Sequence, residues 1–176
     1  MKKLIIAAAM VCAAAFAQAA TVNWGISGVK AEGGGSPTAG WAVMAFYTEV
    51  GAGSDAIVSA IQSKTASSLA FESTTLAVQL SKGKVTAHDA TVAALDTSKN
   101  YDFYFVVFNG ADPASATKYA MESALNKEYS SLNSNYSASG VFSTSTAWES
   151  TAVPEPTTGL LVLLGVAGLA LRRRRA

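Results

Sequence analysis

The chain has 176 residues, room for one ordinary domain, and much of its 50% hydrophobic content is gathered at the two ends. Between residues 21 and 153 there are seven Lys, no Arg and eleven Asp or Glu, an acidic balance that argues against a nucleic-acid-binding surface. Cys12, the single cysteine, lies in the N-terminal apolar run, which excludes disulfides, cysteine nucleophiles and cysteine metal sites from the rest of the chain.

Residues 1–20 have the three parts of a secretory signal peptide. Lys2 and Lys3 start it, Leu4 to Phe16 are apolar, and Ala17-Gln18-Ala19 puts small residues at alternate positions. Cleavage by signal peptidase is expected after Ala19 or Ala20, with Ala17, Ala19 and Ala20 forming the site. A lipoprotein reading of Cys12 is disfavoured, because bulky Val11 stands where a small residue is needed.

Residues 21–150 read as one β-rich extracellular domain. Val22 to Ile26 alternates apolar with polar or small residues, the pattern of a half-buried strand. Glu32 to Pro37 breaks it as a Gly-rich loop. Trp41 to Tyr47 is nearly continuously apolar and suits a strand covered on both faces. Ser54 can cap a helix near 55–63, where Ile57, Ile61 and the alanines at 56 and 60 recur at helical spacing. Thr75 to Leu80 predicts a strand with Leu76, Val78 and Leu80 on one face. His88, the lone histidine, is expected on a loop beside Asp89. Tyr101 to Phe108 is the strongest strand, with Asn109-Gly110 as a turn behind it. Lys118 to Glu128 fits either a strand or a helix. Val141 to Trp148 alternates as a strand.

The expected fold is mainly β. It is an antiparallel β-sandwich-like domain with one short helix, flanked by an N-terminal signal helix and a C-terminal transmembrane helix. Ser and Thr supply 33 of the 133 residues from 21 to 153. They are read chiefly as fillers of turns and solvent-facing strand positions, although their hydroxyls also offer sites for sugar. Asn135-Tyr136-Ser137 matches a glycosylation sequon, a match that a Ser-rich chain produces by accident.

Residues 151–176 form a second address. Val153-Pro154-Glu155-Pro156 is followed by an apolar segment over 157–171 and then by Arg172, Arg173, Arg174 and Arg175. As a helix, about fifteen residues span roughly 22 Å, short of the ~30 Å hydrocarbon core. Such a segment enters a bilayer but anchors it poorly. The four arginines are retained on the cytoplasmic side and leave the middle domain outside. The prolines keep the preceding chain extended, open to a processing enzyme.

This tail resembles the sorting signal of PEP-CTERM proteins, which joins a Pro-Glu-Pro triplet, a short apolar helix and an Arg-rich end. The resemblance implies recognition of Pro154, Glu155 and Pro156 by an exosortase, a membrane-embedded transpeptidase-like enzyme, with Arg172 to Arg175 as the retention signal. It further implies transient residence in the inner membrane of a Gram-negative bacterium. Transfer to the cell surface or extracellular matrix would follow. It covers about a seventh of the chain and says nothing of residues 21–150.

No catalytic site is expected. No Gly-x-Ser-x-Gly elbow surrounds any serine, zinc lacks ligands, and no cofactor is called for. Calcium would need Asp55, Asp89, Asp96, Asp102 and Asp112, read as loop residues, to converge. The expected role is structural or adhesive, in the cell envelope or extracellular matrix. The alternative is an exopolysaccharide-binding module using exposed aromatics from Trp24, Trp41, Trp148, Tyr101 and Tyr104, all more commonly core residues when carried on strands.

Overall fold

Alternation sets the first strand. In β1, Ala20–Val29, the side chains of Ala20, Val22, Trp24 and Ile26 are buried, while Thr21, Asn23 and Ser27 reach solvent. β2, Ala42–Glu49, is buried over its first five residues because both of its faces are covered. α1, Asp55–Gln62, follows, and then β3, Glu72–Thr75, β4, Ala77–Gln79, and β5, Lys82–Val92. β6, Tyr101–Phe108, is buried at every position. The chain continues through β7, Lys118–Lys127, β8, Tyr129–Ser130, β9, Asn135–Val141, and β10, Trp148–Ser150. This computed structural model describes residues 19–152, so the signal helix up to residue 18 and the expected transmembrane helix over 157–171 lie outside the described residues. Among the described residues, no helix is long and apolar enough to cross a membrane.

The strands form two five-stranded sheets, β4-β5-β1-β9-β8 and β10-β7-β6-β2-β3. The pairings are antiparallel as expected except one: β1 runs parallel to β9, from Thr21 beside Asn135 to Ser27 beside Val141. Between the sheets Trp24 stacks on Phe105, ring centres 5.7 Å apart and planes 13° from parallel. A Cβ on Gly140 would stand 2.8 Å from Phe105 and 3.1 Å from Ile26, so the sheets approach closely there. A second core lies on the far side of the β2-containing sheet. There Ile57 and Ile61 of α1 cover Met44, Phe46, Val106, Phe108 and Tyr119. The two rows of β2 and β6 therefore serve different cores, which is why their apolar residues run without a break.

Several expectations are corrected. The segment 75–80 is not one strand. Leu76 is buried, and its backbone bonds to Trp41 and Gly40 while the chain crosses from one sheet to the other. Leu80 then stands 91% exposed in the two-residue turn to β5. The strand expected over 141–148 ends at Val141, because the Thr146 hydroxyl accepts from the Ser143 amide and the Ser143 hydroxyl from the Ser145 amide, holding a turn. Residues 118–127 resolve as a strand. Asn109 opens a loop rather than a two-residue turn, its side-chain oxygen accepting from the amides of Thr117 and Lys118. α1 forms where its spacing predicts, but the Ser54 side chain makes no capping bond. His88 sits within β5, not on a loop.

Candidate functional site

The best-organised polar site is where the chain leaves the domain. β10 is a three-residue edge strand, pairing Trp148 with Ala120 and Ser150 with Lys118. Thr151 follows, 2% exposed. Its amide donates to the Thr117 carbonyl at 3.0 Å, and its hydroxyl donates to the Ala116 carbonyl at 2.6 Å. The Lys64 ammonium donates to both the Thr151 hydroxyl, at 2.8 Å, and the Ala116 carbonyl, at 2.9 Å. Lys64 follows α1 with φ 61°, a left-handed residue that turns the chain back after the helix. One cation thus joins the end of α1, the 109–117 loop and Thr151, the last buried residue of the described chain.

β10 is held on both of its faces. The Trp148 indole N–H donates to the Lys30 carbonyl at 3.0 Å, and its ring meets Trp41 edge-on with centres 5.5 Å apart. Tyr119 donates to Glu149 at 2.6 Å. Burial first, and then that bond and the Glu149 charge, hold the Tyr119 hydroxyl well above the usual phenol range. The exit point is therefore fixed three residues before Pro154.

A second polar site joins the sheets at mid-height. Glu72 of β3 accepts from the buried Trp24 indole N–H at 2.5 Å and pairs with the His88 Nε2 at 2.9 Å. The His88 Nδ1 lies 3.0 Å from the Thr86 carbonyl. That carbonyl and then the Glu72 carboxylate raise the His88 pKa above its ordinary value, against a smaller opposing effect of burial.

Pro154, Glu155, Pro156 and Arg172 to Arg175 lie outside the described residues, as does Ala17. Ala19 precedes β1, whereas Ala20 is its first residue, 1% exposed and opposite Val92. Of the five candidate sugar-stacking aromatics, Trp24, Tyr101 and Tyr104 are buried. Trp41 and Trp148 are partly exposed and packed on each other. The five aspartates do not converge. Asp89 and Asp102 lie on strands rather than loops. Asp102 is buried and accepts from the amides of Asn126 and Gly51. Asp96 and Asp112 accept from amides two residues ahead. Among the described residues, no group of three or more His, Cys, Asp or Glu is placed to hold a metal ion.

Lys64, Thr151 and Glu72 were not singled out by sequence reasoning. Their partners lie between 16 and 87 residues away, and no local pattern marks such pairs.

Comparison with family models matches residues 152–175 to the PEP-CTERM protein-sorting motif. The chain carries that motif, and its first residue, Ala152, directly follows the latched Thr151. The motif implies an exported protein, processed by an exosortase at the membrane and sorted to the cell surface. No curated protein and no solved structure matches the chain.

Proposed function

We propose that this is a non-catalytic protein of the bacterial envelope or extracellular matrix, delivered by signal peptidase and then by an exosortase-like enzyme, whose β-sandwich acts through its surface. The observation that carries the reading is the junction: the sorting motif begins at the residue after Thr151, the last buried residue of the described chain. A folded cargo buried up to Thr151, followed within three residues by the Pro-Glu-Pro triplet, suits a processing enzyme that needs accessible chain and must leave the cargo intact. On the amino side, cleavage after Ala19 keeps β1 whole, and cleavage after Ala20 removes the partner of Val92. The exported chain therefore begins at Ala20. Intact-mass analysis of protein recovered from the native host tests both cuts. The expected mass starts at Ala20 and lacks residues 157–176; a mass that includes residues 157–176 overturns the sorting reading.

A second reading, an exopolysaccharide-binding module, is favoured by the partly exposed Trp41–Trp148 pair. Aromatic rings of this kind stack on the apolar faces of sugars. Glycan-array binding lost on Trp41→Ala would support it, and no binding to any glycan would reject it.

A further inference from the structure

The two ends of the sandwich differ in charge. β1 finishes at the same end as β9 and as the β4–β5 turn, since Val29 faces Gly83. The exit from β10 is at that end too, because Trp148 bonds Lys30 and Lys118 pairs with Glu32. Five of the seven lysines between residues 21 and 153 gather here: Lys30, Lys64, Lys82, Lys84 and Lys118. Lys64 is engaged by Thr151 and Lys118 by Glu32. Lys82 and Lys84 form no ion pair among the described residues. The Lys30 ammonium donates to the Ser81 carbonyl, which places its charge at the turn itself. The opposite end carries Glu49, Asp96, Asp102 and Glu128 beside Lys99 and Lys127, and the lysine-rich end holds Glu32, Asp112 and Glu149, so lysines outnumber acids at the exit and acids outnumber lysines opposite.

Leu80 crowns the lysine-rich end. It and Ser81 are the two central residues of the β4–β5 turn, with φ of 50° and 60°, a geometry that favours Gly and Asn. Leu80 is 91% exposed and neighbouring Val78 37%, so neither turn chemistry nor packing calls for leucine at this position. An apolar tip ringed by lysine stems fits a lipid surface, where the leucine enters the acyl boundary and the ammonium groups meet phosphate.

The tail supplies the proximity. From Thr151 to the start of the apolar segment at Thr157, six extended residues reach at most about 20 Å. The exit end is thus kept near any bilayer that holds the tail. Within that distance the charge asymmetry selects the orientation, because lysines near an anionic surface are attracted at ranges of about 8 Å.

We propose that the exit end is a docking face for anionic phospholipid, with Leu80 as its apolar tip and Lys30, Lys82 and Lys84 as its charges, so that the unprocessed protein stands upright on the membrane. This rests on the sorting reading, since the tail brings the face to the bilayer.

The test uses the exported form, residues 20–176, reconstituted into phosphatidylcholine vesicles with or without phosphatidylglycerol. One variant carries a fluorophore at Leu80→Cys. The other carries it at Leu132→Cys, an equally bare leucine (95% exposed) in the β8–β9 turn at the far end. Lipids bearing a quencher on the acyl chain should quench the Leu80 probe far more than the Leu132 probe when phosphatidylglycerol is present. Added salt should weaken the effect, and Lys82→Glu with Lys84→Glu should lower the docked population by about tenfold or more. Equal quenching at the two positions, in chains that float with the vesicles, overturns the docking face and leaves the sorting reading intact. Chains that do not float with the vesicles overturn the sorting reading, and the docking face with it.

Discussion

Glu72 serves two sheets with one carboxylate, and its loss has a definite cost. Trp24 is fully buried, so Glu72→Ala leaves an indole N–H without its acceptor and should destabilise the domain by about 1–3 kcal/mol, measured by urea unfolding. His88 makes the same contact pH-dependent. Its pKa is raised in the folded state, so the stabilisation is complete below the unfolded value of 6.5 and is lost as pH rises through the folded value. The urea midpoint of the native protein should therefore fall across this interval. The His88→Gln variant should lack that fall. Asp89 lies beside His88 and adds to the same raising effect. The sequence offers His88 as a single conspicuous residue but conceals its partner. Glu72 lies 16 residues away on another sheet, and alternation along a strand carries no information about what crosses from the facing layer.

Among the elements, β6 and α1 are legible in the sequence because their patterns are long enough to beat accident: eight successive buried residues in one, helical spacing of Ile57 and Ile61 in the other. The bend at Leu76 is not legible. Leu76, Val78 and Leu80 satisfy a two-residue period, yet a period does not specify which sheet each half of the segment joins. The β4–β5 turn shows what this arrangement costs. Leu80 holds a left-handed conformation that disfavours a branched side chain by about 1 kcal/mol, so Leu80→Asn should raise the melting temperature by about 2–8 °C, read by thermal unfolding. The same substitution removes the apolar tip of the docking face, so gain in stability and loss of docking are expected together. Gly28 is the reverse case. It has φ 78°, and a Cβ there would overlap the Phe142 carbonyl, the group next to the bond from the Phe142 amide to Ser27. Gly28→Ala should cost about 3 kcal/mol or more, measured by chemical denaturation.

At the scale of the whole molecule, the exit latch couples distant parts of the chain. Lys64→Met removes the charged donor shared by Thr151 and Ala116, and hydrogen exchange at the Thr151 amide should speed up by about tenfold while β6 amides keep their protection. The C-terminal sorting motif is legible because it is a short contiguous stretch, whereas the latch depends on three segments meeting in space. The parallel partnership of β1 and β9 has a bearing on the order of folding. The leading strand occupies the middle of its sheet, and one of its two neighbours is not synthesised until residue 135. The early portion of the chain alone cannot complete that sheet, and pairings this remote in sequence form slowly. The topology thus delays closure of this sheet until residues 135–141 are available, at the carboxyl end of the domain.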